Sequence, residues 1–151
     1  MVRVVRALRW PAIAALLALA SVAGGGSNGA APASAQASTT VQIMTGSVGQ
    51  YLADANGMTL YVFSADQANS GASACAGTCA GAWPPATVSS PPPTPPDGLM
   101  GVLDAIMRDD GSAQLTYGGM PLYRFSGDTS AGQIKGQNVT AFGGTWTAAT
   151  P

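Results

Sequence analysis

One decapeptide is written twice in this chain, as GMTLYVFSAD over residues 57–66 and as GMPLYRFSGD over residues 119–128, matching at Gly, Met, Leu, Tyr, Phe, Ser and Asp. This duplication constrains the fold more than any other feature, because one unit has to serve in two places. In the first copy Met58, Leu60 and Val62 alternate with Tyr61 and Phe63, the period of two that marks a strand with two different faces. Upstream lies a second short run over 50–54, and Ala55-Asn56-Gly57 between the two carries the Asn-Gly signal of a type I′ hairpin, whose turn residues both need positive φ. The second copy repeats the plan with 113–117, Gly118-Gly119 and 120–125. Residues 102–108 followed by Asp109-Asp110-Gly111 read as a further strand and turn, with a short helix over 99–107 as the alternative, and 41–44 takes the same role before the first copy.

The copies also continue alike, since Trp83 follows Asp66 by 17 residues and Trp146 follows Asp128 by 18. Each unit is therefore a hairpin, a Y-x-F-x-x-D segment, a Gly-rich loop, and an extended piece opened by tryptophan. The segment between the units, WPPATVSSPPPTPPDG over 83–98, reads as an extended surface linker, because proline has no amide to give a central ladder. A lone hairpin is marginal in water, and half a domain of this size is marginal as a core. The two copies are thus expected to bury their aromatic faces against each other. The expected fold is all-β, a small sandwich or partly closed barrel built from two duplicated hairpin units. Residues 1–37 read as signal peptide and Ala/Gly/Ser-rich leader, and 38–151 as one domain with repeats at about 46–90 and 99–151.

The leader reading rests on Arg3, Arg6 and Arg9 followed by an apolar run from Pro11 to Ala23, which is short for a bilayer span and has the layout of an export signal. Val22-Ala23-Gly24-Gly25 resembles a lipoprotein processing box with glycine where the acylated cysteine belongs, so no stable membrane anchor is expected after cleavage. Removing the signal leaves Arg108, Arg124 and Lys135 against seven aspartates, a net charge of −4. That surface repels phosphate backbones and anionic lipid, which sets aside nucleic-acid and membrane-surface partners.

With Tyr61, Phe63 and Asp66, their counterparts Tyr123, Phe125 and Asp128, and Cys75-Ala76-Gly77-Thr78-Cys79 leading into Trp83-Pro84-Pro85, the chain resembles the bacterial predicted-lipoprotein family with the Y-x-[FWY]-x-x-D motif, also described as a secreted repeat. The resemblance covers roughly residues 46–151. It implies a secreted or extracytoplasmic site in a bacterium, periplasm or cell surface, and it carries no activity with it. Gly25 departs from the lipoprotein pattern.

The chemistry-bearing residues are few. Cys75 and Cys79 are the only cysteines, and in an exported protein a disulfide is their default, stabilising by about 2 kcal/mol for so short a loop. The competing reading is a reducible redox pair, although the spacing is not C-x-x-C and no helix start is apparent to lower a thiol pKa. Histidine and glutamate are absent, which removes the commonest general base and metal ligand and any Ser-His-Asp arrangement. Asp109-Asp110 before Gly111 is explained by turn chemistry. Asp66 and Asp128 read either as oxygen ligands joined by Tyr61 and Tyr123, or as caps of the turns that leave their strands, with the rings packed inside. Met44, Met58, Met100, Met107 and Met120 offer thioether sulfur to copper(I) on one reading and edge packing on the other. Asn138-Val139-Thr140 matches a glycosylation acceptor, a frequent chance pattern.

The function expected from these residues is that of a non-enzymatic binding or interaction module of the cell envelope or exterior. It needs no cofactor, and its partner is an envelope or extracellular one. The alternative is an extracytoplasmic redox or copper-handling protein using Cys75, Cys79 and the methionines.

Overall fold

The alternating runs become strands in a computed structural model that describes residues 40–89 and 92–151. The expected export signal and the Gly25 box lie outside these residues, as does the middle of the proline-rich linker. Among the described residues the strands are β1 (Gln42–Gly46), β2 (Gly49–Ala53), β3 (Tyr61–Phe63), β4 (Leu103–Met107), β5 (Ala113–Tyr117), β6 (Met120–Pro121), β7 (Val139–Ala141) and β8 (Gly144–Ala148), with one helical turn, α1 (Thr78–Ala82). They make three small antiparallel sheets, ordered β1-β2, β3-β8-β7 and β4-β5-β6, and no closed barrel. Residues 103–107 are a strand, not a helix, because Leu103 and Ala105 pair with Tyr117 and Leu115 and pack with the aliphatic core.

The copies do not fold side by side; they exchange strands. Tyr61 and Tyr123 give each other both backbone hydrogen bonds, at 2.8 and 2.9 Å, so the two motif strands meet at their tyrosines. Beyond Tyr61, β3 pairs with β8 of the second copy, Phe63 opposite Trp146. Beyond Tyr123 the mirror arrangement holds, with Arg124 N bonding Pro84 O and Ser126 N bonding Ala82 O of the first copy. Each tryptophan segment also seals the other copy's hairpin. Ala149 O accepts from Leu52 N while Ala149 N donates to Leu60 O, and Ala86 O accepts from Leu115 N while Ala86 N donates to Leu122 O. The correspondence of these bonds defines an approximate two-fold relation centred on the tyrosine pair.

This exchange corrects the linker. Residues 83–88 are not a surface strap: Trp83, Ala86 and Val88 are buried, and the segment lies between the extended 122–126 segment and β5. The prolines are tolerated because Pro84 contributes only its carbonyl and the next donor needed is that of Ala86. The first hairpin turn also differs from the type I′ expectation. Gly57 has φ 76 but Asn56 is not left-handed, because the Asp54 carboxylate accepts both Asn56 N and Met58 N and shapes a longer loop. Gly118 and Gly119, at φ 55 and 80, do form the two-residue turn between β5 and β6.

Both faces of the motif strands are covered. On one side Tyr61, Phe63, Tyr123, Trp83 and Trp146 form an aromatic core with Cys75 and Cys79; on the other Leu52, Leu60, Leu103, Leu115 and Leu122 form an aliphatic one. The period-two alternation of the decapeptide thus sorts rings to one core and branched chains to the other.

Candidate functional site

At the centre of the aromatic core four rings stack in the order Phe63, Trp146, Trp83, Phe125, with centroid spacings of 4.1, 4.0 and 4.3 Å. Tyr61 meets Trp83 edge-on at 5.4 Å, and Tyr123 meets Trp146 edge-on at 5.0 Å. Such pairs add about 0.5–1.5 kcal/mol each beyond area burial. Every stacked pair joins one copy to the other.

The motif aspartates cross over as well. The Tyr61 hydroxyl donates to Asp128 Oδ2 at 2.6 Å, and the Tyr123 hydroxyl donates to Asp66 Oδ2 at 2.7 Å. The remaining oxygens hold the loops that follow, Asp66 Oδ1 accepting Ala74 N at 2.7 Å and Asp128 Oδ1 accepting Lys135 N at 2.9 Å. Burial first, and then the neighbouring carboxylate, pushes both phenols well above the ordinary tyrosine range. The Y-x-F-x-x-D motif is therefore a reciprocal clasp: each copy supplies a tyrosine for the other's aspartate.

Cys75 and Cys79 are joined as a disulfide with Cα atoms 5.3 Å apart, Cys75 wholly buried and Cys79 nearly so. Contrary to the expectation of no helix start, Cys79 lies in the first turn of α1. Cys79 N bonds Ala76 O, which folds the bridged loop into a turn that winds straight on, with Gly81 N to Gly77 O and Trp83 N to Cys79 O. The methionines are dispersed. Met44 touches the Tyr51 hydroxyl, Met58 and Met120 are half-buried after the hairpin turns, and Met100, before β4, and Met107, at its end, are exposed. No cluster of three or more histidine, cysteine or acidic residues occurs among the described residues.

The two-fold relation exposes a site that the sequence did not suggest. Equivalent hydrogen bonds match Tyr51 with Gln114 and Ile134 with Ser73, and the β1 and β4 registers match Gly46 with Arg108. In one half these three positions make an apolar plug: a side chain at Gly46 would meet the Tyr51 ring at 3.0 Å and Ile134 at 3.1 Å. In the other half they are polar. Gln114 is fully buried, its amide donating to Leu122 O, and Arg108 donates to Gln114 Oε1 at 2.6 Å and to Cys75 O at 2.8 Å. The Ser73 hydroxyl sits 2.7 Å from that of Tyr123. Where the plug would be, a cleft of about 340 Å³ opens between the disulfide loop (Ser73, Ala76, Gly77, Ala80) and Met107, Arg108, Asp109 and Asp110.

A second cleft, of about 380 Å³, lies over the face shared by β4 and β5, between Val102, Asp104, Ile106, Thr116 and Gly118 and the first copy's loop at Asn69 and Gly71. Gly71 lines both, so the two clefts adjoin at the first copy's post-motif loop, and together they make the groove that this loop walls beside β4. That loop is fixed at both ends, by Asn69 N bonding Gly119 O and by the Ala74 amide on Asp66. A buried glutamine holding a half-buried arginine, where the twin position is satisfied by apolar packing, departs from what core stability alone favours, and such departures are where functional sites are found.

Set beside known proteins, the chain matches one family model, Lipoprotein_15, a secreted repeat of unknown function, over residues 42–87 and again over 104–150. No curated protein and no solved structure matches. The two matched spans coincide with the two strand-exchanging copies.

Proposed function

The chain belongs to the Lipoprotein_15 family of secreted repeats, and on that premise we propose that it is a non-enzymatic binding module of the cell envelope or exterior whose ligand lies in the groove along β4. The observation that carries this reading is the broken symmetry. Where one half closes its surface with Gly46, Tyr51 and Ile134, the other lines an open cleft with Arg108 and Ser73, Arg108 being held by the buried Gln114. The walls are rigid, one stapled by the Cys75–Cys79 bridge and the other tied to it through Arg108, so the groove is formed before any ligand arrives.

The non-enzymatic part of the reading is supported by the state of the hydroxyl chain that leads from the core to the cleft. Ser73 leans on Tyr123, which leans on Asp66, but the buried phenol holds its proton far above neutral pH and makes no base for serine. A photo-reactive side chain placed at Met107 in the groove, and separately at its twin position Thr45, tests the assignment in the producing cell. A specific adduct from position 107 and none from 45 is expected; equal capture at both positions, or none at 107, rejects the groove.

A further inference from the structure

Building on the groove reading, we propose that the ligand is an extended polypeptide segment carrying alternating basic and apolar side chains, which adds to the free edge of β4 as a further strand and reaches over β4 into the groove with the side chains of one of its faces. β4 is the terminal strand of its sheet. The backbone bonds that tie its ends to the β5 side involve Val102 O, which accepts from Gly118 N, and Arg108 N, which donates to Ser112 O. By antiparallel alternation the amides and carbonyls of Leu103, Ala105 and Met107 point the other way, along the open edge. There the Ala105 amide is taken by the carboxylate of Asp104 at 2.8 Å, the kind of edge cover by a charged residue that keeps a strand from pairing indiscriminately. A partner carbonyl replaces that carboxylate at no loss of bonding, and the freed Asp104 then meets a cation.

Charge selects the occupant. Arg124 is paired with Asp54 at 2.7 Å, Arg108 is held by Gln114 and Cys75, and Lys135 bonds Gly127 O. Three exposed aspartates, Asp104 within β4 and Asp109 and Asp110 in the turn after it, are interleaved with the exposed apolar side chains of Val102 and Met107, and Asp97 and Met100 are exposed in the segment that precedes the strand. A second copy of the chain would bring this acidic set against itself, and an anionic polymer or lipid is repelled in the same way. An extended peptide with lysine or arginine between valine or leucine residues satisfies the edge, the aspartates and the exposed methionines together.

The test titrates the ¹⁵N-labelled protein with three octapeptides and one sugar: alternating Lys/Val, alternating Glu/Val, Lys/Val with its edge-facing amides N-methylated, and an uncharged β-linked oligosaccharide. The expected result is that Lys/Val shifts Gly71 and Gly77 and slows hydrogen exchange at Leu103 and Met107. Glu/Val and the N-methylated peptide should each bind at least tenfold more weakly, and Asp104→Asn/Asp109→Asn should weaken Lys/Val tenfold while leaving the melting temperature unchanged. If the oligosaccharide or the N-methylated peptide fills the groove as well, without protecting Leu103 and Met107, the strand-addition inference falls and the groove reading stands. If no probe moves any groove resonance, both fall.

Discussion

Replacing Tyr61 by phenylalanine takes one oxygen from the interior and disturbs two groups on the other copy. The hydroxyl donates to Asp128 at 2.6 Å and accepts the Gly136 amide at 3.1 Å, and both partners are buried. A hydrogen bond to a charged acceptor is worth about 1.5–3 kcal/mol net, and an orphaned buried amide costs about 1–3 kcal/mol, so Tyr61→Phe should destabilise by about 3 kcal/mol in urea unfolding. The discriminating measurement is a pair of double-mutant cycles. Tyr61→Phe with Asp128→Ala, across the copies, should show a coupling above about 1 kcal/mol, whereas Tyr61→Phe with Asp66→Ala, within one motif, should stay near additive, below about 0.5 kcal/mol. The linkage follows the same atoms. Both phenols lie above their ordinary value of 10.0 in the folded state, so their contribution is complete below about pH 10. Above it the unfolded chain ionises first, and stability falls by about 1.4 kcal/mol per pH unit for each tyrosine. Tyr61→Phe should remove one such increment from the alkaline slope. A larger coupling inside the motif than across it, or an unchanged slope, would refute the crossed clasp.

Three further outcomes are expected. Gly136→Ala would drive a methyl group to 2.7 Å from the Trp83 ring and 2.8 Å from that of Tyr61, neither of which can swing away, and should cost about 1–3 kcal/mol by thermal melting. Cys75→Ser/Cys79→Ser should lower stability by about 2 kcal/mol and speed hydrogen exchange in the 72–77 loop, while the Trp83–Trp146 stack, read by near-ultraviolet circular dichroism, persists. Phe142 sits half-exposed at φ 55 in the two-residue turn between β7 and β8, where an aromatic residue is strained; Phe142→Asn should raise the denaturation midpoint, by about 0.5–1 kcal/mol in stability.

Much of this fold was legible in the chain because it is local. The period of two in 58–63 and 120–125, the glycine turns and the duplication are properties of neighbouring residues, and they foretold hairpins and a buried ring face. The turn at Phe142-Gly143 escaped notice because only Gly143 carries a turn signal. The burial of 83–88 escaped because the proline rule counts lost donors, and here the donor that matters belongs to Ala86. The groove could have been glimpsed only by aligning the copies outside the decapeptide. There Arg108, Gln114 and Ser73 stand against Gly46, Tyr51 and Ile134, but the register that licenses the comparison comes from hydrogen bonds between strands.

The sequence by itself determined that two like units would form strands and hide their aromatic residues, since alternation, turn chemistry and apolar content act over a few residues at a time. Only the tertiary structure decided that Tyr61 would serve Asp128 and not Asp66, that each tryptophan segment would complete the other copy's hairpin, and that one half would open where its twin is closed. Those outcomes rest on contacts between residues far apart in the chain, from 29 positions for Ala86 and Leu115 to 97 for Leu52 and Ala149. Identical motifs carry no local information about which copy satisfies which; the choice belongs to the packing of the two units on each other.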